Sequence, residues 1–131
     1  MLELVKGHIE RAKKDYKSLQ FSEKPDGSIY ICIPDYILPE KWKNIKDESN
    51  KVELLIILPV GYPSSKPDGF DTDVNLRVNN GVKPTQGCGE RQIDGKQWLH
   101  FCWQPQEWNH DRENLWRYIK LCERRFVEVI G

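Results

Sequence analysis

The segment Val52-Glu53-Leu54-Leu55-Ile56-Ile57-Leu58-Pro59-Val60-Gly61-Tyr62-Pro63-Ser64-Ser65-Lys66-Pro67-Asp68-Gly69-Phe70 joins the most apolar run of the chain to its stiffest turn. Val52 to Leu58 is rich in Ile and Leu and stops at Pro59, the composition of a buried strand. From Gly61 to Gly69 two prolines fix φ and remove amide donors, so the backbone there is rigid and poorly able to pair. Tyr62 can bury its ring while its hydroxyl finds a partner. Such a turn sets a sheet edge against whatever follows.

Upstream, Ser28-Ile29-Tyr30-Ile31-Cys32-Ile33 alternates, with the isoleucines on one face and Cys32 on the other. Leu19-Gln20-Phe21 is a shorter strand, and Pro25-Asp26-Gly27 between the two is turn chemistry, so the pair reads as a hairpin. Val5, Ile9, Ala12, Tyr16 and Leu19 recur at helical spacing and predict a helix over about residues 2–17. Ile37 and Leu38 can extend a strand, while Glu40 to Asn50 reads as a loop. Phe70 to Val78 predicts a last strand. Asn79 to Lys96 has almost no apolar periodicity and reads as irregular, of a length that tends to carry function. Leu115, Ile119, Cys122, Phe126 and Ile130 mark a second amphipathic helix, with Asn109 or Asp111 as candidate caps. The expected fold is α+β: an N-terminal helix, an antiparallel meander sheet, an irregular active-site loop and a C-terminal helix.

The 131 residues suit one domain, 1–131. Lys plus Arg equal Asp plus Glu at 20 each, so there is no net basic field to hold nucleic acid. Charged residues make up 31%, and the longest apolar run, Leu54 to Val60, is far short of a bilayer span, so a membrane role is not expected. The first residues, Met1 to Lys6, show no apolar signal region, which makes a cytoplasmic address the default expectation. The cysteines at 32, 88, 102 and 122 form no Cys-x-x-Cys pair, and the histidines at 8, 100 and 110 are scattered, so a structural zinc site is disfavoured. Cys32 in a strand and Cys122 on a helix stripe read as small buried hydrophobes. Cys88, between two glycines, reads as an exposed loop thiol. On spacing alone Cys102 would be a core cysteine.

Leu58 to Phe70 resembles the strand and Tyr-Pro-x-x-x-Pro turn of the ubiquitin-conjugating enzyme superfamily. Trp98-Leu99-His100-Phe101-Cys102, followed by Trp108-Asn109 and a helix, is similar to the superfamily's order of catalytic cysteine, Trp-containing turn and helix. The nearest resemblance is to the bacterial branch called prokaryotic ubiquitin-conjugating-like family E, over about residues 19–127. The resemblance implies an acyl carrier: Cys102 accepts a ubiquitin-like protein from an activating enzyme as a thioester and passes it to a nucleophile on a substrate protein. ATP is consumed upstream, so no cofactor or metal is implied. Cys88 is the alternative nucleophile. His100 shares a face with Cys102 if the segment is extended, and can serve as its base or as a packing residue. Asp94 and Glu107 are weaker candidates for orienting an incoming amine. The superfamily's His-Pro-Asn triplet is absent, and Asn75, Asn79 and Asn80 lie in the corresponding region. The basic face of the first helix, with Lys6, Arg11, Lys13, Lys14 and Lys17, corresponds to a surface that helps contact the activating enzyme in the superfamily, although a solvated face is the usual reading of such a charge run. Bacterial relatives of this kind tend to sit beside genes for an activating enzyme, a ubiquitin-like protein and a peptidase, some in antiphage systems. The tail Val129-Ile130-Gly131 lacks paired glycines, which argues against this chain being the modifier. The alternative is a non-catalytic module of the same fold that binds a ubiquitin-like protein or its activating enzyme.

Overall fold

A computed structural model describes residues 2–78, 81, 84, 89–102, 108 and 114–128. Among these, helix α1 (Glu3–Asp15) opens the chain, helix α2 (Leu115–Glu128) closes it, and eight strands lie between them. The strands are β1 (Gln20–Glu23), β2 (Ile29–Ile37), β3 (Trp42–Asn44), β4 (Lys51–Leu58), β5 (Phe70–Asp73), β6 (Leu76–Val78), β7 (Gly89–Ile93) and β8 (Lys96–Phe101). Six form one antiparallel sheet in the order β1-β2-β4-β5-β8-β7, and β3 pairs with β6 beside it. This is the expected α+β layout of helix, meander and helix, with a larger sheet.

Alternation builds the core. Ile29, Ile31 and Ile33 of β2 face the same side as Leu54, Ile56 and Leu58 of β4, and all are buried. Val5, Ile9 and Ala12 of α1 belong to the same core, as do Leu115, Ile119, Cys122 and Phe126 of α2. Phe126 is a hub, its ring within 6 Å of Tyr36, Trp42, Phe70 and Phe101, and its carbonyl accepts from Trp42 Nε1 at 3.0 Å. Burying an aromatic ring of this size contributes on the order of 3 kcal/mol.

Three expectations need correction. Glu40 to Asn50 is not all loop, because Trp42–Asn44 forms β3 against β6. Phe70 to Val78 is not one strand, because Asp73 Oδ1 accepts from the Asn75 amide at 2.9 Å and folds a turn that sends β6 to the other sheet. The stretch expected to be irregular contains β7, paired in register with β8 from Gly89↔His100 to Ile93↔Lys96.

The main sheet is strongly curved. Laid flat, six strands would separate their edges by about 24 Å. Yet Lys24 Nζ, just beyond edge strand β1, lies 3.1 Å from Asp94 Oδ2 in the β7–β8 turn at the other edge. The outer face is thereby rolled into a groove of about 320 Å³ lined by Tyr30, Cys32, Leu55, Lys96 and Trp98 among others.

Candidate functional site

The candidate residues gather where β8 ends. Strand β8 lies between β5 and β7, and the register aligns Asp71, His100 and Gly89 in one row across the three strands. Cross-strand partners point to the same face, so Asp71 and His100 both face outward, while Phe70 and Phe101 stack in the core with centroids 5.0 Å apart. Cys102 follows the last residue of β8 and is exposed.

Asp71 has only 2% of its side chain exposed. A buried carboxylate needs its charge answered. Arg91, reaching over from β7, donates from Nε to Oδ2 at 2.8 Å and from Nη2 to Oδ1 at 2.6 Å. This is the bidentate fork in which guanidinium and carboxylate fit best. His100 Nδ1 lies 3.2 Å from Oδ1, with 13% of its side chain exposed. Arg91 is held protonated, above the ordinary arginine range, first by the hydrogen bonds to Asp71, against some loss of solvent, and then by the negative charge of Asp71, with Cys102 also within Coulombic reach.

The Tyr-Pro turn braces this end of the molecule. Tyr62 is buried, and its hydroxyl forms a 3.0 Å hydrogen bond with His8 Nδ1 of α1. Burial pushes the phenol upward in pKa, offset in part by a hydrogen bond with the Leu115 backbone at the start of α2. The Tyr62–Pro63 peptide is cis, and the Pro63 carbonyl accepts from Trp108 Nε1 at 2.6 Å. One turn thus ties α1, α2 and the segment after Cys102 together. The α2 N-terminus is capped by Asn114, whose Oδ1 accepts from the Arg117 amide at 3.0 Å.

The structure places the sequence candidates unevenly. His100 and Cys102 stand at one end of β8. Asp94 lies at the other end, roughly 20 Å along the strand and paired with Lys24, so it does not join them. The Asn75 side-chain Nδ2 donates to Asp73 Oδ1 at 2.7 Å and serves its turn. Cys88, Glu107, His110, Asn79 and Asn80, with the cap candidates Asn109 and Asp111, lie outside the described residues. Cys122 is fully buried, and burial raises its thiol well above the ordinary range. Cys32 is half-buried on the outer face, its thiol pushed up to about 11 by burial and then by Glu53, with Lys96 opposing. Sequence reasoning missed Asp71 and Arg91. A charged residue inside Phe70-Asp71-Thr72 was the available signal for the first. Arg91 offered none, because its strand has no apolar pattern. Among the described residues no group of His, Cys, Asp and Glu could hold a metal ion, and no helix is long and apolar enough to cross a membrane.

A sheet with a helix at each end, a braced Tyr-Pro turn and an exposed cysteine before the second helix defines a ubiquitin-conjugating-like module. Residues 10–128 match the family model described as prokaryotic E2 family E, and the chain belongs to that family. The family implies dealings with a ubiquitin-like protein and its activating enzyme. No curated protein matches the chain, and no solved structure does.

Proposed function

We propose that this chain is a conjugating enzyme, acting as one domain, that carries a ubiquitin-like protein as a thioester on Cys102. The observation that supports it is the exposed cysteine two residues after His100, within reach of the Arg91 charge, in a chain of prokaryotic E2 family E. In the loading step the Cys102 thiol yields its proton to His100, directly or through a water. The thiolate sulfur bonds to the modifier's C-terminal carbonyl carbon. The carbon–sulfur bond to the activating enzyme breaks, that sulfur leaves with the electron pair, and His100 returns its proton to the leaving thiolate or to solvent. In the discharge step an amine or another nucleophile attacks the same carbon, His100 takes its proton, and Cys102 leaves as thiolate. Cys32 and Cys122 are poor rivals because their raised thiol pKa values leave little thiolate at neutral pH. Cys88 remains the alternative nucleophile. A bacterial conjugation pathway, with antiphage defence as one setting, follows from the family resemblance.

The test combines the chain with the activating enzyme and ubiquitin-like protein encoded beside it, plus ATP, on gels with and without reductant. A reductant-labile adduct is expected on the wild type and on Cys88→Ala. It is expected to vanish in Cys102→Ala and to turn reductant-resistant in Cys102→Ser. The absence of the His-Pro-Asn triplet favours a second reading, a non-catalytic binding module. No adduct on any variant beside a charged activating enzyme would sink the catalytic reading and leave that one.

A further inference from the structure

Arg91 donates to both oxygens of Asp71, as it does to a carboxylate. A carboxylate can only accept, so the His100 nitrogen 3.2 Å from Oδ1 must be the one that bears hydrogen. Neutral His100 is thereby fixed with its proton on Nδ1 and its lone pair on Nε2. We infer that Asp71 and Arg91 are positioning residues for the site: the buried Asp71 carboxylate, forked by Arg91, sets the tautomer of His100 and so leaves Nε2 as the base for Cys102, while the same guanidinium supports the thiolate.

This deepens the acyl-carrier reading and rests on it for its biological meaning. Asp71 answers an imidazolium as well as an imidazole, so a proton moved from the Cys102 sulfur to Nε2 gives a thiolate and an imidazolium, each with an opposite charge nearby. Nothing else is consumed. The titratable groups around the pair come from each packed strand: Asp71 of β5, Arg91 of β7, His100 of β8, and the phenol of Tyr30 on β2. Neither Asp71 nor Arg91 need touch the modifier. The half-buried fork explains why a charged residue is tolerated in a strand whose neighbours Phe70 and Thr72 are buried.

The test needs neither modifier nor activating enzyme. In 15N-labelled wild type at pH 7.5, long-range proton–nitrogen correlation, assigned by loss of signals in His100→Gln, should show Nδ1 protonated and Nε2 bare. The reverse pattern overturns the inference, whatever any variant does. The second readout is alkylation by iodoacetamide, in which the Cys102 thiolate sulfur displaces iodide, followed peptide by peptide by mass spectrometry across pH. Asp71→Asn offers an amide that can donate to Nδ1. It is expected to invert the tautomer, slow Cys102 alkylation at pH 7.5 by about fivefold or more and move the midpoint of its pH profile upward. Arg91→Gln, at a residue 41% exposed, should keep the tautomer and lose a similar factor in rate. If Asp71→Asn does not fold, the wild-type tautomer and Arg91→Gln decide. An unchanged Cys102 profile in folded variants overturns the inference. If tautomer and profiles behave as expected but no thioester forms in the gel assay, the acyl-carrier reading alone fails.

Discussion

A carboxylate as enclosed as Asp71 is held by its partners, and the cost of removing one scales with how little water can replace it. Arg91 supplies two charge-assisted hydrogen bonds to a side chain only 2% exposed. Lys24 and Asp94 make a single 3.1 Å contact with the aspartate 64% exposed. Arg91→Ala is therefore expected to cost about 2–3 kcal/mol, and Lys24→Ala less than about 1 kcal/mol. Urea denaturation of both variants checks this, and equal costs would mean that Asp71 is rehydrated once Arg91 is gone. The same contrast explains what the sequence disclosed at this scale. Cys102 and His100 stood out as chemistry-bearing types two residues apart. Asp71 and Arg91 are twenty residues apart, and only the β5-β8-β7 pairing joins them. Tertiary register of this kind has no local imprint.

Elements with their own periodicity were legible, and those defined by a distant partner were not. The α1 and α2 stripes, the isoleucine alternation of β2 and the apolar run of β4 all declared themselves, because each buries a continuous face. Strands β3 and β6 are three residues each and exist through pairing across more than thirty residues. Edge strand β7 is polar because little of it is buried. Helix α1 also has a connection that its periodicity does not reveal, the contact of His8 with Tyr62. Burial lowers the His8 pKa below its ordinary value of 6.5. Above pH 6.5 both folded and unfolded chains hold His8 neutral, and its contribution is fully present. As pH falls, the unfolded chain takes up the proton first, so stability declines until pH passes the folded value. His8→Gln removes that titration and keeps a hydrogen-bonding partner for Tyr62. Its urea midpoint should decline less steeply between pH 7 and pH 5 than that of the wild type. An identical decline would assign the acid sensitivity to other groups.

For the whole molecule, the curvature of the sheet decides which parts open together. Strands β2 and β4 sit inside the sheet, joined over a long register and backed by the core shared with both helices. They should exchange amide hydrogen only through global unfolding, at the full stability of the fold, about 5–15 kcal/mol for a protein of ordinary stability. Strand β7 has one neighbouring strand, and among its side-chain ties is the Arg91 fork to Asp71; the adjoining turn is tied by the Asp94 contact with Lys24. It can peel from β8 without breaching the core. Amides of β7 that bond to β8 are therefore expected to exchange at least about 100-fold faster than those at the centre of β4, and Arg91→Ala should accelerate both, because local and global opening alike break the Arg91 fork. Native-state hydrogen exchange resolved by residue makes the comparison. Equal protection in β7 and β4 would mean that the curved sheet opens as one unit. Selective opening would instead release Arg91 from Asp71 each time β7 lifts, so the stability of an edge strand would govern how often the charges beside Cys102 are in place.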